Sequence, residues 1–284
     1  MSTNPFNILS EDVYAEKMDA LIKAINGGGC IHSQGAVPYG KELTASWSEI
    51  RAQVQTGNFD GINIGDWKRI QLTDGEEVVM EVAGIDQYYN PDYDYPENSH
   101  HIDFISRDCI EGYYMYNSNG SNNGTSAEAN PFMASELYQT LNNTTDGIIT
   151  RLPSDLRSCI MKKKALLESR YSSSGTLTNA NSWSWKEMGP LWLPTEIEVW
   201  GHPVWSEKGW GTGGGGVNIQ YPIFKGGLLH ILKGYGAGGG RDYWWLASAH
   251  AGDSSVFCVV YDHGDASYSS ADGELCVPLC FRIG

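Results

Sequence analysis

The chain has 284 residues, 34 acidic side chains against 19 basic ones and a formal net charge of −15; it is long enough to bury a full core in one large domain with a short extension. A field of that sign repels phosphate backbones, which argues against a nucleic-acid partner, and no apolar run reaches the length needed for membrane insertion. The six cysteines are scattered and read as free, buried thiols of a protein made in the cytoplasm, since the N-terminus lacks the basic start and apolar block of a signal peptide.

Taken in chain order, Ser10 caps a helix expected from about Glu11 to Asn26, ended by Gly27-Gly28-Gly29. That helix is too short for a core of its own, so residues 1–45 read as an anchor or a segment for homo-oligomer formation. In "SWSE" (46–49), Ser46 and Glu49 form a capping box that starts a second helix. "WKRIQLTDGEEVVMEVAGID" gives two strands around Asp74-Gly75, and "HHIDFIS" gives a third. "ASELYQTLNN" and "PSDLRSCIMKKKALL" read as helical stretches, the latter opened by Pro153, with Lys162-Lys163-Lys164 as a solvated face. From Leu191 onward short apolar runs are cut by glycine. The class is α+β, with helices on mixed, mostly antiparallel strands.

Candidate chemistry is sparse. The segments 211–216 and 234–239 match the spacing of a dinucleotide fingerprint, but neither follows a strand nor opens a helix, so both read as loops and no cofactor is expected. His100-His101-x-Asp103 holds metal-ligand residue types, yet in a strand only His101 and Asp103 share a face; a structural pairing is expected, with no metal. The acidic, aromatic loop at 86–99 lacks the ligand spacing of an EF-hand and reads as surface.

The informative segment is "YWWLASAHAGDSSVFCVVYDHGDASYSSADG" (243–273), which strings Ser, Asp, His and Tyr around a few apolar residues. Recognition loops favour these types, because Tyr offers rigid amphipathic area and Ser and Asp adapt their hydrogen bonds. Gly252, Gly264 and Gly273 mark turns, and beside them stand the expected ligand contacts: His250, Asp253, Ser255, Tyr261, Asp262, His263, Asp265, Ser267, Tyr268 and Ser269. No catalytic residue is assigned. If the segments around Gly264 pair as a hairpin, Tyr261, Asp265, Ser267 and Ser269 share a face while Val260 faces the core. Tyr261 and Tyr268 are the expected energetic anchors. Trp192, Trp244, Trp245 and Phe281 are expected in the core.

The ordered stretches "WSEIRAQVQTGNFDGINIGDWKRIQL", "HHIDFISRD", "SELYQTLNN…LPSDLRSCI", "LWLPTEIEVWG", "YWWLASA" and "VPLCFRI" resemble bacterial and prophage proteins with a C-type-lectin-like fold, many of them variable proteins of diversity-generating retroelements. The resemblance covers about residues 46–284. It implies a compact α+β domain whose last strands carry a ligand surface, with a variable region at about 249–272 rewritten at template adenines. The implied function is receptor binding or ligand display on a virion or cell surface, with a cell-surface protein or glycan receptor as partner. An Asn codon randomised at its two adenines cannot become Lys, Glu, Gln, Met or Trp, and residues 246–273 contain none of the five.

Two departures qualify what carries over. Cys276 stands before Val277-Pro278 where the family more usually reads Gly-Val-Arg-Pro, and the Glu-Pro-Asn, Gln-Pro-Asp and Trp-Asn-Asp motifs of calcium-dependent lectins are missing, so sugar binding is not implied. Formylglycine-generating oxidases work through a cysteine pair on a similar fold. In that alternative Cys276 and Cys280 would serve, though strand geometry sets positions four apart about 13 Å from each other unless the chain turns at Pro278. A purely structural virion component is the other alternative.

Overall fold

The computed structural model describes residues 39–90, 97–208, 219–225 and 227–284. The expected helix at 11–26 and the glycine run at 211–216 lie outside the described residues.

Helix α1 (Trp47–Gln55) begins at the capping box: the Glu49 N–H donates to Ser46 Oγ and the Ser46 N–H to Glu49 Oε2. Its buried residues, Trp47, Ile50 and Val54, recur at the three- and four-residue spacing of one helical face. Trp47 meets Phe104 and Phe281 edge-on, at 5.3 and 5.6 Å between ring centres. Arg51 Nε donates to the Gly284 carbonyl at 2.9 Å, so α1 clasps the end of the chain.

Eight strands form the main sheet. The first two, β1 (Trp67–Gln71) and β2 (Glu77–Ile85), make the expected hairpin, with Gly75 at φ +97° in its turn. The long β3 (Ile102–Met115) follows, then two short strands, β4 (Ile160–Met161) and β5 (Lys164–Ser169). After β6 (Ser182–Glu187) come β7 (Trp244–Ala249), β8 (Val256–Val260), β9 (Ala266–Ser270) and β10 (Glu274–Ile283). The sheet order is β1-β2-β3-β10-β7-β8-β9, with β4 added beside β10. Its pairings are antiparallel apart from β10 with β7, and β5 and β6 form a separate two-stranded sheet.

A proline inside the central strand β10 needs an explanation, since it cannot donate to the ladder. Register shifts lie on both sides of Pro278, between Leu275 and Val277 and between Pro278 and Cys280, and the Leu279 N–H is taken by the Ser106 hydroxyl at 2.9 Å. The strand stays central with its donors satisfied. Trp192, Trp244, Trp245 and Phe281 are fully buried, as expected.

The stretch 153–167 corrects the sequence reading. Only Ser154–Arg157 is helical; β4 and β5 take most of the remainder, because pairing of Lys164–Ser169 with the distant β6 outweighs local helix propensity. Lys163 is not on a solvated face either. It is fully buried, with Nζ 2.6 Å from Glu198 Oε1 and 3.9 Å from the Trp192 ring centre. Glu198 lies in α4 in sequence terms, but two short helices precede it: Glu136–Asn142 (α2) and Ser154–Arg157 (α3), with Glu196–Trp200 as α4. No described helix is long and apolar enough to cross a membrane.

Candidate functional site

The segment between Val256 and Ser270 folds as a hairpin. Val259 faces Ser267, Phe257 faces Ser269 and Cys258 faces Tyr268 across the pair. At the tip the Gly264 N–H donates to the Tyr261 carbonyl at 2.8 Å and the Tyr261 N–H to the Asp265 carbonyl at 2.9 Å. Gly264 has φ +89°, and a Cβ there would lie 2.6 Å from Leu228 Cδ2. The backbone angle therefore requires glycine, while the Leu228 side chain, itself exposed, could give way.

Because cross-strand partners share a face, the register divides the candidate contacts. Tyr261, Asp265, Ser267 and Ser269 lie on the face of Phe257 and Val259; Tyr268 lies on the face of Cys258 and Val260. Phe257, Cys258, Val259 and Val260 are all buried, so β8 is framework on both faces and the projecting groups belong to the tip and to the edge strand β9.

On the first face Tyr261 stands perpendicular to Tyr243, with ring centres 4.2 Å apart, and stacks on His263 at 5.3 Å. A hydrogen bond with Tyr261 pushes the Tyr243 hydroxyl up to about 12. His263 Nδ1 lies against Asp262 Oδ1 at the tip, and Asp265 is exposed. The aromatic row continues through Asp242, next to Tyr243, whose carboxylate accepts from Tyr113 at 2.7 Å; Tyr113 in turn stacks on Tyr235.

The second face carries a cluster of three rings. Tyr268 and Trp205, 47% and 39% exposed, meet at 4.9 Å, and His250 lies 4.6 Å from Tyr268 and 5.7 Å from Trp205. Trp205 Nε1 donates to the Ala266 carbonyl at 3.0 Å, tying the ring to the sheet edge. Partial burial holds the His250 imidazole below its ordinary pKa. A groove of about 570 Å³ opens beside the cluster, lined among others by Trp200, Val204, Phe224, Leu228, Ile231 and Ala266.

Buried polar groups fix this surface from behind. Both Glu196 oxygens are occupied: they accept the N–H groups of Val204, Trp205 and Ser206 and the Ser206 hydroxyl. Arg170 donates to the carbonyls of His250 and Asp253 at 2.7 and 2.8 Å, and Asn122 Nδ2 to those of Asp253 and Val256. Asp253 and Ser255 close on each other, the carboxylate accepting the Ser255 N–H and hydroxyl, which lowers the Asp253 pKa.

Eight of the ten candidate residues thus fall into three neighbourhoods: the tip with Tyr261, the cluster with Tyr268 and His250, and the turn of Asp253 and Ser255; Ser267 and Ser269 lie along β9 on the Tyr261 face. Trp205, Tyr243 and Tyr113 were missed by sequence reasoning. Trp205, a lone Trp in the polar loop "GHPVWSEKG", carries the one local signal of an exposed anchor.

The side chains of the His100-His101-x-Asp103 motif are bonded within the fold. His100 bonds Asp86, His101 lies between the carbonyls of Ser99 and Gln87, and Asp103 takes Arg282 and the Tyr221 hydroxyl. Among the described residues no group of three or more His, Cys, Asp or Glu side chains is placed to hold a metal ion. Cys276 and Cys280 are both buried, and the sulfur neighbour of Cys276 is Cys109 on β3. Burial pushes the thiols of Cys109 and Cys280 up, which disfavours the reactive thiolate. No family model matches the chain, and no curated protein or solved structure does so either.

Proposed function

We propose that the chain is a ligand- or receptor-binding display protein on a C-type-lectin-like scaffold, with its contacts on the β8–β9 hairpin and the loops beside it. The observation that carries this reading is the Trp205–Tyr268–His250 cluster, three rings at a sheet edge with Trp205 and Tyr268 exposed and the backbones of Trp205 and His250 held by buried Glu196 and Arg170. Rigid aromatic anchors surrounded by adaptable Ser and Asp are the composition of a recognition surface. The absence of Lys, Glu, Gln, Met and Trp from residues 246–273 supports diversification of this segment through its codons. The scaffold reading draws support from α1 clasping Gly284 and from β10 lying between β3 and β7, which bring the two ends of the domain together.

The partner proposed is a cell-surface protein or glycan receptor. The test displays wild type and a variant with Tyr261, Asp262, His263 and Tyr268 changed to Ala, then measures binding to candidate host cells and to a surface-protein array. Loss of binding in a folded variant is expected. Equal binding by both would place the contact surface elsewhere.

A further inference from the structure

Behind the aromatic cluster lies a cavity of about 20 Å³, room for one water-sized molecule, lined among others by Asn130, Glu168, Trp183, Thr195, Ser206 and Ser248. Glu168 Oε1 accepts the Ala249 N–H at 2.9 Å; its buried Oε2 has no hydrogen-bond partner among the described residues. Two residues on, Arg170 spends its Nη groups on the carbonyls of His250, Asp253 and Leu177, and its buried Nε is likewise unpartnered. An orphaned carboxylate oxygen and an orphaned guanidinium N–H therefore sit two residues apart, both beneath the loop 249–255.

We propose that Glu168 is a proton-operated latch under that loop. When neutral, its hydroxyl donates into the cavity to Ser248 or Thr195 Oγ. Each of these already accepts one backbone N–H, from Glu196 and Glu198, and keeps a second lone pair. Arg170 then stays on the loop carbonyls. When Glu168 is ionised, its free oxygen draws Arg170 Nε toward it, the His250 carbonyl loses its Arg170 donor, the Asp253 carbonyl keeps Asn122 alone, and the turn carrying His250 loosens.

The surroundings allow both states. Burial lifts the Glu168 pKa to about 7, against the pull of Arg170 and the Ala249 N–H, and the charges of Glu207 and Glu196 push the same way as burial. Glu196 is committed to the 204–206 backbone and does not compete for Arg170. Asp253 and the Cys258 thiol also face Arg170, the thiol held neutral by burial, and His250 keeps a pKa lowered by burial.

An effect on binding rests on the loop being part of the contact surface; the latch itself does not. Hydrogen exchange on the full chain, corrected for intrinsic rates, should show protection of residues 249–255 falling between about pH 6 and about pH 8 about tenfold further than that of β3 and β10, which follow the loss of global stability alone. In Glu168→Gln protection should be the same at both values. A flat profile in the wild type overturns the latch, with no variant needed, and so does an equal fall in Glu168→Gln. A wild-type loop that switches while partner binding stays equal at both pH values upholds the latch and removes only the loop from the contact surface.

Discussion

Tyr261 and Tyr268 lie on opposite faces of one hairpin: Tyr261 stands with Tyr243, and Tyr268 with Trp205 and His250. A partner approaching the edge of β9 can reach one ring without the other. Alanine substitutions should therefore fall into two groups in binding titrations. Tyr268→Ala and Trp205→Ala should weaken binding together, by about 2 kcal/mol each if the cluster is the anchor, while Tyr261→Ala and Tyr243→Ala stay within about 0.5 kcal/mol. Four equal losses would show one surface spanning the tip.

The framework and the projecting groups should separate in stability. Trp245 is fully buried and donates from Nε1 to the Tyr114 carbonyl at 2.8 Å, so Trp245→Ala should cost about 3–5 kcal/mol in a urea titration. Ser269→Ala, on the edge strand, should stay within about 0.5 kcal/mol. Similar midpoint shifts for the two would contradict this division.

The buried pair Lys163–Glu198 has the Tyr88 hydroxyl on the same Glu198 oxygen, at 2.9 Å. Lys163→Met leaves a buried carboxylate without its counter-charge and should cost about 3–5 kcal/mol. Adding Glu198→Gln should recover a measurable part of that loss, since the uncompensated charge goes with it. A double variant as unstable as the sum of the two single ones would mean that packing against Trp192, and not charge, dominates.

Two buried carboxylates should give opposite slopes of stability against pH. Burial alone would raise Asp103, but the charge and hydrogen bonds of Arg282 outweigh it and hold the pKa below the usual value. Its contribution is present above the unfolded pKa of about 4 and is lost as pH falls toward the folded value, a loss Asp103→Asn should not show. Glu168, lifted to about 7, binds its proton more tightly folded than unfolded, so stability falls as pH rises from about 4.5 through 7. Glu168→Gln should be more stable than wild type at about pH 8, by up to about 3 kcal/mol. Parallel pH profiles for wild type and this variant would refute the shift.

Local chemistry was legible in the sequence. The Ser46–Glu49 box, the Asp74-Gly75 hairpin, the helix at 136–142 and the turn at Gly264 each depend on a few adjacent residues, and each forms. Long-range partners were hidden. Nothing near Lys163 points to Glu198, so a run of three lysines reads as solvent-facing, and 164–167 reads as helix until β6 is known to lie beside it. The site shares this limit. The types in 250–269 were readable, but Trp205 comes from a loop more than forty residues upstream and joins them through Ala266, His250, Ala251 and Tyr268, contacts no local pattern marks.

The placement of β10 has a kinetic consequence. Arg282 reaches Asp103 across 179 residues of sequence, and β3 has β10 as its partner on one side. Contacts between such distant positions form slowly, because a long loop must close before any pairing rewards it. Until then β3 offers an open, largely apolar edge, the hazard that leads to wrong pairing between chains. Refolding yield should therefore depend on protein concentration far more than native stability does, and shortening the chain within 279–284 should trap it with that edge uncovered.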